Sequence, residues 1–302
     1  MTDRVVTGPE VKEALAAGRP VVGLETSVIG QGLPNPRNVE CAERMSAAIR
    51  ANGAAPAWIG LVDGSVVVGL TAGELGEFAV PGSAVKVARR DLPMALANRS
   101  LGATTVSATI WAAAAAGVAV VATGGIGGVH PGTLDVSADL LELARTPIVL
   151  VCSGPKSIVD PVATAEKLEE LGVAVLGYRC DHLPFFLARE ADVELEHRAD
   201  TPEDVAAIAR ARDELGARTS LVVGNPIPSS FAMDPTEIAE ATRSCEAEAR
   251  RREISGKRRT PFLLSCMAER TEGRSLEANL ALLEANAALA AEIAGALASA
   301  SA

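Results

Sequence analysis

Aromatic side chains are scarce, at 3% of 302 residues with a single tyrosine. Since 48% of the chain is hydrophobic all the same, the core must be built from Ala, Val and Leu, the side chains of helices packed on buried parallel strands. Basic residues are outnumbered, 28 Lys and Arg against 38 Asp and Glu, for a net charge of −10. That balance argues against nucleic-acid and anionic-membrane partners, so any phosphate has to be held by a local pocket. Histidine is limited to His130, His182 and His197, none at zinc-site spacing. The five cysteines (Cys41, Cys152, Cys180, Cys245 and Cys266) are odd in number and never spaced C-x-x-C. They read as free thiols of a reducing cytoplasm. No stretch reaches membrane-spanning length without charges or glycines, and the opening Met-Thr-Asp-Arg-Val-Val has no apolar leader. A soluble, cytoplasmic protein is expected. There is no G-x-x-x-x-G-K-[ST] loop, no proper G-x-G-x-x-G fingerprint and no G-x-S-x-G elbow, which removes P-loop, dinucleotide-binding and α/β-hydrolase enzymes.

What is present is an alternation of short apolar runs with amphipathic segments. Strands are expected at 20–24, 84–88, 118–122, 147–152, 173–177 and 219–223. A hairpin is expected within 58–70, turning at Asp63-Gly64. Helices are expected at 9–18, at 103–116, from about 136 to 144, at 160–171, 204–215, 235–252 and 275–298. Another begins with Asn35 as cap and Pro36 at its first position, and carries the stripe Val39, Ala42, Met45 and Ile49. Strands alternating with helices imply a largely parallel sheet covered on both faces, a three-layer α/β/α fold. No linker or composition shift divides residues 1–302, which read as one domain.

In such folds ligands gather at the carboxyl ends of the strands. Glu25, Thr123 and the loop bearing Lys156 all fall there. Lys156 follows a buried strand beside glycine and proline, where partial desolvation would free its amine to attack a carbonyl or anomeric carbon; a phosphate-binding or merely exposed lysine is the alternative. Glu25 closes the run Val-Val-Gly-Leu, a setting that suits a general acid with a raised pKa, or an ordinary acid opening the next segment. The stretch 122–140 holds Gly124, Gly125, Gly127 and Gly128, then His130, Asp135 and Asp139. Glycines past a strand let backbone N–H groups approach an anion, and two aspartates four apart share one helix face. Read one way this is a phosphate and metal site; read the other it is a turn and a helix capped by Asp135. A metal here would be hard, Mn2+ or Mg2+, held by Asp and water. Lys86 could pair with a phosphate or carboxylate. Asn279 and Asn286 lie on the apolar face of the last helix and require partners, from a neighbouring loop or a ligand.

Several stretches together resemble the pseudouridine-5′-phosphate glycosidase, or pseudouridylate synthase, branch of the indigoidine synthase A-like family. They are Gly-Leu-Glu-Thr-Ser-Val-Ile (23–29), Pro-Asn-Pro-Arg-Asn-Val-Glu (34–40), Lys-Val-Ala-Arg-Arg-Asp-Leu-Pro (86–93) and Gly-Ala-Thr-Thr-Val-Ser-Ala-Thr (102–109). Next come Ala-Thr-Gly-Gly-Ile-Gly-Gly-Val-His (122–130), Asp-Val-Ser-Ala-Asp-Leu-Leu-Glu-Leu-Ala (135–144) and Val-Cys-Ser-Gly-Pro-Lys-Ser-Ile-Val-Asp (151–160). Asn-Pro-Ile-Pro (225–228), Thr-Pro-Phe-Leu-Leu (260–264) and Ser-Leu-Glu-Ala-Asn (275–279) complete the set.

The resemblance implies an α/β/α homotrimer that cleaves, reversibly, the C–C glycosidic bond of pseudouridine 5′-phosphate to uracil and ribose 5-phosphate. By it Lys156 is the covalent nucleophile and Glu25 the proton donor. Lys86, the backbone at Val106, and Ser137, Ala138 and Asp139 bind substrate, Asn279 lies near the base, and Thr123 and His130 are candidates for the phosphate end. Asp135 would hold a divalent ion, usually Mn2+ with Mg2+ possible, its shell completed by water. The chain departs from the pattern at Thr26-Ser27, a swapped pair, at Gln31, where a histidine is common, and at Pro155 and His182. Two other classes remain in play: a Schiff-base aldolase-like enzyme on another sugar phosphate, and a non-catalytic phosphometabolite-binding protein.

Overall fold

The computed structural model describes residues 4–132, 134–254 and 256–299. In chain order the elements are β1 (Val5–Thr7), α1 (Pro9–Ala16), β2 (Val21–Glu25), α2 (Arg37–Ala51), β3 (Ala55–Val62), β4 (Ser65–Val68), α3 (Ala72–Phe78), β5 (Val85–Val87), α4 (Leu92–Ala97), β6 (Gly102–Thr104) and α5 (Val106–Ala115). They continue with β7 (Val120–Ala122), α6 (Ala138–Leu143), β8 (Val149–Cys152), α7 (Pro161–Glu170), β9 (Ala174–Tyr178), β10 (Arg198–Ala199), α8 (Pro202–Glu214), β11 (Leu221–Gly224), α9 (Pro235–Arg251), α10 (Arg259–Arg270) and α11 (Arg274–Ser299).

Among the described residues eleven strands join one sheet, in the order β1-β4-β3-β2-β7-β8-β11-β9-β10, with β6 also pairing β3 and β5 pairing β6. Of the pairings among these strands, only those of β3 with β4 and with β6 are antiparallel. The first is the expected hairpin, and Asp63 and Gly64 both take positive φ (48° and 78°), the conformation that a tight two-residue turn needs. Side chains alternate between the faces as the pleat requires. Val120, Ala122, Val149 and Val151 enter the core under α2, α8 and α11. Val121, Leu150 and Cys152 enter the core on the opposite face, which α5 and α6 help to close. The largely parallel three-layer α/β/α arrangement is as expected from the alternation.

Several local expectations are corrected. Asn35 does not cap α2; the Asn35–Pro36 bond is cis, Pro36 takes the cap position and the helix starts at Arg37. Val39 is 39% exposed, and Cys41 takes its place among the buried residues beside Ala42, Met45 and Ile49. The helix expected from Ala103 begins at Val106, because Gly102–Thr104 pairs with β3 and β5 first. The last helix, α11, is long and apolar enough to cross a membrane by length and composition, although Glu284, Glu292 and Gly295 interrupt it. Yet 61% of its most apolar stretch is buried inside the protein, packed against α2, α8 and the strands β2, β7 and β8.

The cysteines are not all free thiols. Cys245 and Cys266 form a disulfide, with their Cα atoms 5.8 Å apart. α9 and α10 pack side by side after the chain reverses between them, so residues separated by 21 positions meet without any short-spacing signal. A chain with this disulfide does not call for a reducing compartment. Cys41, Cys152 and Cys180 remain unpaired.

Candidate active site

Three adjacent strands, β2, β7 and β8, end at the same edge of the sheet. Glu25 is the last residue of β2, and Thr123 follows β7. The loops after β7 and β8 stay laced together beyond the strands. Ser153 N–H donates to Gly124 O, Ile126 N–H to Gly154 O and Lys156 N–H to Ile126 O, at 2.9, 3.1 and 3.0 Å. Lys156 is thereby fixed to the glycine-rich loop by its backbone. Gly154 makes this path possible: its φ is +75°, and a Cβ there would lie 1.7 Å from the Pro184 carbonyl oxygen.

Glu25 is 5% exposed, and each of its carboxylate oxygens accepts from a hydroxyl. Thr123 Oγ1 donates to Oε1 and Ser27 Oγ donates to Oε2, both at 2.5 Å. Asn286 of α11 then ties the floor together. Its Nδ2 donates to Thr123 O at 2.9 Å and its Oδ1 accepts from Asn225 at 2.9 Å. Of the two asparagines on α11, this one serves neighbouring loops. Asn279, a turn and more earlier, lines the cleft.

The cleft has two halves that meet at Glu25, Ser27, Lys86, Lys156 and Thr260. The narrower half, open to solvent on one side and about 460 Å3 with that open space included, is walled by Gln31, Thr123, Phe186, Leu264, Asn279 and Leu283. Apolar surface broken by two amides suits a flat heterocycle that also forms hydrogen bonds. The wider half, about 980 Å3, is lined by Arg90, Val106, His130, Asp135, Ser137, Ala138, Asp139 and Arg259. Lys86, Arg90, Lys156 and Arg259 line it together with the acids Glu25, Asp91, Asp135 and Asp139, so cations and carboxylates face one another across it. Val106 opens α5, so its N–H lies outside the helix ladder and at the positive end of the helix dipole.

Glu25, Lys86, Val106, Thr123, His130, Asp135, Ser137, Ala138, Asp139, Lys156 and Asn279 therefore all reach one cleft, though not always as expected, while Asn286 does not line it. Thr123 lines the narrow half, bonded to Glu25, and not the wider half that holds His130. Asp135 neither caps a helix nor shares a face with Asp139, because α6 starts at Ala138 with Ser137 as its cap. The Ser137 hydroxyl accepts from Asp139 N–H at 3.2 Å. Both Asp139 oxygens are already committed. Oδ1 accepts from Ser107 N–H and Oδ2 from Gly127 N–H, each at 3.0 Å. Asp139 thus clamps the start of α5 to the glycine loop. The glycines serve close packing more than an open cradle, since a Cβ on Gly127 would lie 2.3 Å from Ser137 Oγ.

His130 is 8% exposed, and burial holds its imidazole below the ordinary pKa while the Asp135 carboxylate opposes that shift. No group of three or more His, Cys, Asp or Glu side chains able to hold a metal occurs among the described residues. Asp135 on the wall of a wide polar half fits only an ion that keeps most of its water.

Residues 10–296 match the family model described as indigoidine synthase A like protein. The chain belongs to this family. It is 47% identical over 296 residues to the pseudouridine-5′-phosphate glycosidase of Saccharopolyspora erythraea, covering 97% of this chain and 98% of that one. The protein of the same name from Symbiobacterium thermophilum is 48% identical, with 96% of each chain covered. An indigoidine synthase A-like protein of Thermotoga maritima superposes with a TM-score of 0.90 at 40% identity over 97% of both chains. The prealnumycin C-glycosynthase solved with ribulose 5-phosphate also gives 0.90, at 38% identity over 99% of both.

In this indigoidine synthase A-like chain, motif reasoning missed the part of the cleft supplied by α10. Arg259, Thr260, Pro261 and Leu264 line it, although Thr260-Pro261 lies in a matching stretch. Arg259 is held by Glu246 of α9 at 2.6 Å, with the two side chains 13% and 10% exposed. Phe186 was missed as well, and Ser27 and Gln31 entered the sequence reading only as departures from the family pattern, not as cleft residues. No charge pattern marks them, and only the chain path beyond β2 and β9 brings them to the cleft.

Proposed function

We propose that this enzyme catalyses the reversible cleavage of pseudouridine 5′-phosphate to uracil and ribose 5-phosphate through a covalent lysine adduct. The observation that carries the reading is the position of Glu25 and Lys156. Both line the junction between a half suited to a heterocycle and a half suited to a phosphate. The names of the family relatives agree with it, and the neighbour solved with ribulose 5-phosphate is a C-glycosynthase.

A carbon-linked base has no nitrogen at the glycosidic position to protonate, so the sugar ring has to open first. Glu25 donates its proton to the ring oxygen while the Lys156 amine attacks C1′, and the C1′–O bond breaks. Protonation of the base at C5 leaves the positive charge at C6, shared with the N1 lone pair; the lysine nitrogen lone pair then forms an iminium with C1′ while the C1′–C5 bond electrons restore the C5=C6 double bond, so uracil leaves neutral. Water then releases ribose 5-phosphate from Lys156. Lys86, Arg90, Arg259 and the Val106 N–H attract the phosphate, and Asn279 faces the base. The reading includes a hydrated Mn2+, or Mg2+, at Asp135, which would add positive charge beside the substrate oxygens. It also includes a homotrimer working in the cytoplasm.

The test is uracil release from pseudouridine 5′-phosphate, followed by absorbance, with added Mn2+ and with chelator. Turnover is expected with the metal and reduced turnover after chelation. Absence of any uracil in either condition would overturn the reading.

A further inference from the structure

Gln31 sits on the irregular turn Val28–Gly32, a short distance past Glu25. It lines the narrow half of the cleft and also a hollow of about 1180 Å3 that continues beyond it. Its Nε2 donates to the Ala84 carbonyl at 3.0 Å. That bond decides which way round the amide lies, because the flipped amide would set two carbonyl oxygens against each other. Oε1 is then left on the other arm, buried and with no hydrogen-bond partner among the described residues. A native protein rarely keeps a buried acceptor unsatisfied, and the wall of a binding cleft is where a ligand can satisfy it.

We infer that Gln31 Oε1 accepts a ring N–H of the base and makes the cleft selective for uracil linked through carbon. The inference rests on the function proposed above. Uracil joined to the sugar through C5 keeps two ring donors, N1–H and N3–H; joined through N1 it keeps one. The other amide of this half, Asn279, can match one O=C–N–H edge of the ring with its own acceptor and donor. Gln31 takes the N–H that remains. An N-linked isomer leaves one of the two acceptors empty, and a site built to bond an N–H rejects an analogue that lacks it.

The experiment compares pseudouridine 5′-phosphate with its N1-methyl and N3-methyl derivatives as substrates of wild type and Gln31→Leu, with kcat and KM resolved. Wild type is expected to cleave at least one methyl derivative with kcat/KM lower by roughly 30-fold. Gln31→Leu should lose a similar factor on the parent compound and little further on that same derivative. Gln31→Met, of similar length, replaces Gln31→Leu should the latter not fold, and the wild-type comparison needs no variant. Equal cleavage of all three compounds by wild type overturns the inference, as does a variant that slows all three equally. Failure of wild type to release uracil from the parent compound instead overturns the functional reading, and the inference with it.

Discussion

Thr123 Oγ1 donates to Glu25 Oε1 across 98 positions of sequence, joining the ends of two neighbouring parallel strands, β2 and β7. The partner is well matched to the proposed role of Glu25, a group that gives up and regains a proton. A hydroxyl donates to the ionised carboxylate and accepts from the protonated one, so the contact survives both states. Ser27 does the same for the other oxygen. Glu25→Gln is expected to lower kcat for uracil release by about 10²- to 10⁴-fold, the range for a lost general acid. Thr123→Val should cost roughly tenfold in kcat with little change in KM. Stopped or continuous uracil assays separate the two; equal rates for Glu25→Gln and wild type would remove Glu25 from the chemistry.

In the proposed reaction Lys156 is the group on which covalent catalysis depends. Borohydride added to wild type with ribose 5-phosphate should leave a stable adduct, visible as a mass increase on the peptide that contains Lys156. Lys156→Ala should show neither the adduct nor turnover. A binding protein without catalysis would instead show reduced affinity and no trapped species in either form.

Asp139 is expected to be chiefly a positioning residue, since its oxygens are bound by the backbone of Ser107 and Gly127. Asp139→Asn removes one acceptor and the charge from a buried clamp, and should cost about 2 kcal/mol in unfolding free energy. Urea titration measures this. The same variant should raise KM, because the Val106 N–H loses its fixed place at the end of α5. A variant as stable as wild type would show that the clamp carries no strength.

The unpaired cysteines should be inert near neutral pH. Burial pushes the Cys41 and Cys152 thiols up to about 12 and Cys180 to about 11. A raised thiol pKa lowers the thiolate fraction, and the thiolate is the form that reacts. Iodoacetamide at pH 8, read by mass spectrometry on the native unreduced protein, should leave all three unmodified on the time scale that labels a free peptide thiol. Labelling should reach all five cysteines only after unfolding and reduction. Fast modification of Cys152 in the native state would contradict its burial beneath the sheet edge.

The sequence by itself determined the alternation of elements, the buried strands and the edge at which a ligand site forms, because hydrophobic period and glycine or proline stops are local signals. It also placed Glu25 and Lys156, whose significance follows from standing at strand ends. Only the tertiary structure decided what those residues touch. Glu25 is gripped by Thr123, Asp139 serves backbone N–H groups of two other segments, and α10 walls the cleft with Arg259 held by Glu246. Each of these contacts joins residues far apart in sequence or depends on where a helix begins, as when α6 starts at Ala138 and leaves Asp135 outside it. The pairing of Cys245 with Cys266 and the lone acceptor on Gln31 have the same origin. Hydrogen bonds and packing across the fold fix them, and such contacts have no period to be read along a chain.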